Sequence, residues 1–237
     1  MTAVHSDRSA PAPSRSVAPW WHTAILIAIL LVLAVRGALF QSAPAGGASP
    51  PANVLPVYLS LIVAESGLVY FVSRGIRRSG TTIRDLIGGR WQTTSDVLSD
   101  VLRGVALWAL WTGVAAGWER WLPVAGHARS IGLLLPHAPL EIAVWVVLSM
   151  IAGIAEEIVF RGYLQRQFDA WTGSRWLALA LQAVVFGVSH GYQGVDACLR
   201  ITAYGALFGA VALWRGSLRP GMIAHAWTDI ASGIFRI

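Results

Sequence analysis

The chain has no lysine, a single cysteine (Cys198) and few charges of either sign. One cysteine excludes a disulfide scaffold and leaves the redox compartment unreadable. Charged residues make up 13% of the 237, about half of the roughly 25% usual in a soluble domain. A soluble globule of this size could not hydrate its surface with so few. No HExxH motif is present, which excludes the ordinary zinc-protease signature. No long internal repeat is evident, which argues against an inverted-repeat transporter.

What is present is apolar. Hydrophobic residues reach 55%, and the mean hydropathy is +0.58, which excludes disorder over most of the chain. The 18 basic residues are all arginine, and the net charge is +6. These arginines lie between apolar segments rather than on one soluble face, so no nucleic-acid partner is expected. The expected fold class is all-α, a polytopic transmembrane helix bundle.

A spanning helix needs about 20 apolar residues. Seven segments qualify, near 20–40, 54–72, 101–121, 139–165, 175–190, 197–214 and 220–236. Residues 1–19 read as a disordered tail, 20–237 as one membrane domain. Arg8 and Arg15 before the first apolar run, with Ala43-Pro44-Ala45 after it, resemble a signal peptide. The apolar stretch resumes at Gly37, and Trp20 and Trp21 look like an interfacial anchor, so a retained helix is expected.

Arginine placement sets the topology. The loop at 41–53 is uncharged, whereas Arg74, Arg77, Arg78, Arg84 and Arg90 follow the second segment. That end is expected to be cytoplasmic, with Arg166, Arg175, Arg215 and Arg219, leaving Arg120 and Arg129 outside. The N-terminus is then inside, and seven crossings put the C-terminus outside. The expected location is the inner (plasma) membrane of a bacterium, with lipid as a partner. Ile83, Leu86, Ile87 and Trp91 share a helical face, which predicts a short interfacial helix broken at Gly88-Gly89. Thr94 or Ser95 is expected to cap the next helix. Gly205 and Gly209 predict close helix packing, within the bundle or between protomers.

Ionisable groups inside a bilayer cost several kcal/mol unless paired or hydrated. Three segments keep them. Glu157 and Arg161 are four apart and can pair on one face. Glu156 lies about 100° around the helix, with no basic residue three or four positions away. Such a carboxylate is poised to take a proton, as a general base must. His190 ends the fifth segment, and His225 and Asp229 project from one face of the seventh. Glu65 in the second segment is expected to line a cavity or to partner a polar group nearby. Arg36 and Glu141 lie near segment ends, explained by snorkelling and a helix N-terminus. His5, His22, His127 and His137 lie in the tail or near boundaries. Two chemistries fit the shared polar site. In one, Glu156 and His190 activate water while His225 and Asp229 stabilise an oxyanion. In the other, His190, His225 and a carboxylate bind a metal.

Glu156-Glu157-x-x-x-Arg161, Phe186-x-x-x-His190 and His225-x-x-x-Asp229 resemble the three motifs of the CPBP family. These are CAAX-protease and bacteriocin-processing intramembrane endopeptidases, related to the eukaryotic type II CAAX prenyl endopeptidase. The resemblance covers about 140–232, read as the catalytic core; the N-terminal third matches only in being hydrophobic. It implies a membrane protease, commonly with eight helices, acting on a membrane-associated peptide or protein substrate. Glu156 would activate water with help from His190. His225 and Asp229 would line the oxyanion site, and Glu157 and Arg161 would orient the helix and the water. The type is left open between glutamic and metal-dependent, and the cofactor between a divalent metal such as zinc and none.

This sequence departs from the pattern in three ways. Seven segments are counted rather than eight. Asp229 stands where Asn is frequent, and an ionised Asp has no N–H to donate. Depth is the third: Glu156 and His190 lie ~18 and ~23 Å from their cytoplasmic helix ends, but His225 only ~8 Å past Pro220. The rivals from other classes are a proton-coupled transporter and a non-catalytic immunity or scaffold protein.

Overall fold

The structure is a computed structural model that describes residues 15–42, 53–121, 132 and 134–235. The described residues contain helices and turns and no strand. The long helices are α1 (Trp20–Ser42), α2 (Leu55–Ile76), α4 (Thr94–Trp121), α5 (Pro139–Thr172), α6 (Arg175–Ser189), α7 (Val195–Arg215) and α8 (Arg219–Phe235). A short helix, α3 (Ile83–Ile87), lies between α2 and α4. The all-α bundle expected from the apolar runs is therefore what forms.

Among the described residues five helices are long and apolar enough to cross a membrane: α1, α2, α4, α5 and α7. The two that carry the histidines are shorter. α6 has 15 residues and α8 has 17, so they reach about 22 and 25 Å against roughly 30 Å of hydrocarbon. Trp20, Trp121, Trp171, Trp176 and Trp214 are exposed near helix ends, as an aromatic belt requires.

Helix association in lipid depends on close packing of small residues, because lipid tails already solvate apolar side chains. α5 and α8 run antiparallel in a tight register. A Cβ on Gly233 would strike the Trp145 indole, and one on Gly153 would lie 2.5 Å from the Ala226 amide. One on Gly221 would lie 2.8 Å from Glu157 Oε2, and one on Gly162 would lie 3.0 Å from Leu218. α6 and α7 pack the same way. Gly205 fits against Ala183 and Phe186, and Gly209 against Gln182 and Gln165. Gln182 Nε2 donates to Gly205 O at 2.9 Å, and Gln165 Nε2 to Gly209 O at 3.2 Å. The glycine pair thus packs within the bundle.

The interfacial segment forms as expected, with a difference in its second cap. Thr82 caps α3 in a reciprocal box with Asp85, and the chain breaks at Gly88 and Gly89 with φ of 101° and 81°. The Thr82 hydroxyl, and then its amide, hold the Asp85 carboxyl below the ordinary carboxylate range. α4 begins at Thr94 rather than 101, and its cap is Thr93. The Asp96 amide donates to Thr93 Oγ1, and Asp96 Oδ2 accepts from the amides of Gln92 and Thr93. The polar first turns carry α4 beyond its apolar run because their orphan amides are satisfied.

α3 also resolves the depth problem. It packs beside Gly162 and Leu218, with Leu86 and Leu218 buried. The Leu218 amide donates to Ile87 O at 3.0 Å, and Arg166 donates to the carbonyls of Asp85 and Leu86. α8 therefore starts level with Gly162, whereas α5 runs on to Thr172, about 15 Å further. His225 consequently reaches the level of Glu156 and Glu157 although it is near the start of its own helix.

The disordered tail expected over 1–19 needs correction at its end. Residues 1–14 lie outside the described residues, but Val17 and Ala18 are buried. The Gln167 side chain accepts from both of their amides and donates to Ala18 O. His22, in the first turn of α1 near the segment boundary, is also buried. Its Nδ1 lies 2.8 Å from the Tyr163 hydroxyl and its Nε2 3.0 Å from Phe71 O, which ties α1 to α5 and α2. His5, Arg8, Ala43-Pro44-Ala45, His127 and Arg129 lie outside the described residues.

Candidate active site

The site is built where α5 changes its winding. Residues Glu157–Leu164 form a π-helix, and all eight are buried. A π segment inside an α-helix is rare and frequently marks a functional site. Here it puts Glu157 and Arg161 into the bundle together, with Arg161 Nη1 3.1 Å from Glu157 Oε1. The Arg161 guanidinium lies 4.3 Å from the Phe186 ring centre and 5.8 Å from that of Phe208. Aromatic faces attract a desolvated cation, so this cage offsets part of its burial cost.

Glu157 Oε1 also meets His225 Nδ1 at 3.1 Å. The ion-paired carboxylate accepts, so Nδ1 carries the proton. Arg161, Glu157 and His225 thus form a chain that fixes the second imidazole. Gly221 makes this possible, because a side chain there would strike Glu157. The other nitrogen of His225 faces Glu156 Oε2 at 3.5 Å and Asp229 Oδ2 at 3.8 Å.

His190 comes from the end of α6, where it caps the helix. Its Nδ1 lies 2.9 Å from Phe186 O. A carbonyl only accepts, so Nδ1 is the protonated nitrogen and Nε2 presents a lone pair. That lone pair faces Glu156 Oε1 at 4.0 Å, a separation that a shared water can bridge. Glu156, without a partner on its own helix, therefore lies between two imidazoles from two other helices. All six residues singled out in the three segments come together.

A cavity of about 500 Å³ opens onto three of the six, His190, His225 and Asp229, and is lined also by Trp108, Trp111 and Tyr204 among others. Its size is that of a small-ligand or peptide side-chain site. Glu65, on α2, lies within electrostatic reach of Glu156, His225 and Asp229. Its Oε2 is buried with no hydrogen-bond partner. Glu65 is not among the residues that line the cavity. Glu141 accepts from the amides of His137 and Ala138 at the start of α5, as a helix N-terminus requires.

Several neighbours were not visible as site residues in the sequence. Tyr204 lies 5.2 Å from His225 between ring centres, and Trp145 donates to the Asp229 carbonyl at 2.9 Å. Tyr192, in the turn after α6, lies 6.0 Å from His190. Aromatic residues fill every segment of this chain, so composition gave no signal for these three. His190 Nε2 and His225 Nε2 both face the Glu156 carboxylate. Among the described residues no three His, Cys, Asp or Glu side chains are grouped to hold an ion.

Residues 138–231 match the family model described as Rce1-like, type II CAAX prenyl endopeptidase Rce1-like. Neither a curated protein nor a solved structure matches the chain. The match covers the α5–α8 region that holds all six residues. The matched region is thus similar to a family of CAAX endopeptidases, and the chain has the long apolar helices of an integral membrane protein.

Proposed function

We propose that this protein is an intramembrane endopeptidase in which Glu156 and His190 activate a water molecule to hydrolyse a peptide bond of a membrane-associated substrate. The observation that carries the reading is Glu156 lying between His190 Nε2 at 4.0 Å and His225 Nε2 at 3.5 Å beside the cavity. Two lone-pair acceptors flank the gap between Glu156 Oε1 and His190 Nε2. A water held there points both hydrogens at acceptors and its own lone pair outward, as an attacking nucleophile requires. Glu156 takes the proton as the water oxygen adds to the carbonyl carbon. It then returns the proton to the departing amine.

His225 serves the opposite charge. With Nδ1–H committed to Glu157, an Nε2–H on the protonated ring is the group that donates to the tetrahedral oxyanion. Asp229 holds that nitrogen from the adjacent turn and, lacking an N–H when ionised, acts as a positioning residue. Glu157 and Arg161 lock the imidazole in place from behind. The low-dielectric surroundings strengthen each of these interactions. The catalytic core then spans about 139–232, within one membrane domain from 20 onward.

The test is cleavage of a candidate-substrate library by purified protein, with and without chelator. His190→Ala and His225→Ala should each abolish cleavage while the protein stays folded, and chelator should leave the rate unchanged. Full activity in either variant contradicts the water-activation scheme. Solute or proton flux in vesicles without any cleavage points to a transporter instead.

A further inference from the structure

The two ends of the bundle differ. One end gathers the start of α1, the end of α2, α3, the start of α4, the α5–α6 turn and the α7–α8 turn. It carries Arg74, Arg77, Arg78, Arg84, Arg175 and Arg219 among its arginines, and contacts cross it throughout. Arg78 stacks on Trp21 at 4.9 Å, Arg215 Nε pairs with Asp100 Oδ1 at 3.1 Å, and Arg219 donates to Gly89 O. Beneath these contacts, buried Leu86, Leu218 and Tyr163 separate that end from Glu157. The pocket on that side, beside Arg161, holds about 60 Å³, too little for a peptide.

The large cavity points the other way. From His190, His225 and Asp229 it follows Trp108 and Trp111, then Ala115, Ala116 and Glu119 toward the last turn of α4. Its facing wall is Tyr204, Ile201 and Arg200 toward the start of α7. Packing of α4 against α8 is close at Gly104, where a Cβ would lie 2.8 Å from Ile223. Further along, Glu119 Oε1 and Arg200 Nη1 meet at 2.6 Å across the gap between α4 and α7. By the 1.5 Å rise, Glu119 is about 16 Å beyond Trp108 along α4.

We propose that the substrate reaches the site from the membrane face opposite the arginine-rich end, through the trough between α4 and α7, and that the Glu119–Arg200 pair closes its mouth. Positive charge collects on the cytoplasmic side, so this face is extracytoplasmic. The occupant is a stretch of a membrane-anchored polypeptide just outside the membrane on that face. An extended chain of five residues spans about 16 Å, enough to run from the mouth to the level of Trp108. The Trp108 and Trp111 indoles offer a bulky apolar side chain beside the scissile bond an aromatic surface. α4 and α7 also meet deeper, at Trp111–Tyr204 with 4.8 Å between ring centres and at Asp100–Arg215, so parting the ion pair opens the mouth of the trough without disturbing the α5–α8 contact. This inference rests on the endopeptidase reading for its occupant, while the route itself is independent of it.

The test uses the full chain in native membranes, with Cys198→Ser as background and Ala115→Cys or Ser232→Cys as trough probes. Arg84→Cys marks the arginine-rich end. A membrane-impermeant maleimide added to intact cells stripped of any outer barrier should label both trough probes, and Arg84→Cys only after permeabilisation. Adding Glu119→Gln should speed trough labelling several-fold, and the Glu119→Arg, Arg200→Glu exchange should return it toward the starting rate. Trough probes that label only after permeabilisation, or not at all, overturn the route. Unchanged labelling with Glu119→Gln overturns the closure. The same labelling in a Glu156→Gln background separates the route from the chemistry. Labelling from outside with no hydrolysis in any variant sinks the protease mechanism alone.

Discussion

The two sides of α8 are packed on different principles. Toward α5 its backbone is pressed close, with Gly153 against Ala226 and Gly221 against Glu157. Toward the trough it meets large side chains, with Trp108 and Trp227 edge to face at 6.3 Å between ring centres, and a cavity of about 500 Å³ opens beside Trp108. The tight side holds Glu156, Glu157 and Arg161 against His225. The loose side has room for a polypeptide. Precision and access are thus assigned to opposite faces of one short helix.

Breaking the tight side should cost most. Arg161→Met leaves the Glu157 carboxylate buried without its cation, with only His225 beside it, so a stability loss of about 3–5 kcal/mol is expected in detergent unfolding. Adding Glu157→Gln should recover part of it. Gly153→Ala drives a methyl into the α8 backbone and should cost about 1–3 kcal/mol. Cleavage should fall with it, because Glu156 and His225 are carried on the two helices being separated. Gly221→Ala is milder: it crowds only Glu157, so kcat should fall about tenfold with KM held, as loss of a positioning contact predicts. On the loose side, Trp111→Ala should raise KM several-fold and leave kcat near its original value. The smallest effect belongs to the cap of α3. Asp85→Asn removes a carboxylate held below its ordinary range. The stability it contributes is present above the unfolded value and is lost as pH falls through the lowered one. Thermal unfolding at neutral pH should fall slightly, with cleavage unchanged. Equal effects of Gly221→Ala and Trp111→Ala on KM would erase the distinction between the two sides.

Much of this was legible from residue order. Apolar run lengths located every long helix, because a bilayer demands them. The acids and imidazoles stood out because each is costly in lipid without a partner. The spacing of Glu157 and Arg161 announced their pair. Three features were hidden. The π-helix over Glu157–Leu164 depends on how α5 is gripped by its neighbours, since no residue type encodes i→i+5 bonding. The depth of His225 depends on α3 folding inward against Leu218, a contact between segments 131 residues apart (218 minus 87). Tyr204 was one aromatic among many, and only its distance from His225 distinguishes it.

The central claim is that Glu156 takes a proton from water during bond cleavage, and its most direct test is single-turnover cleavage by purified Glu156→Gln. Glutamine keeps the shape and hydrogen-bonding reach of the side chain but cannot accept that proton. The rate should fall at least about 100-fold, the usual worth of a general base, with melting behaviour and substrate binding preserved. Cleavage at the original rate would contradict the account.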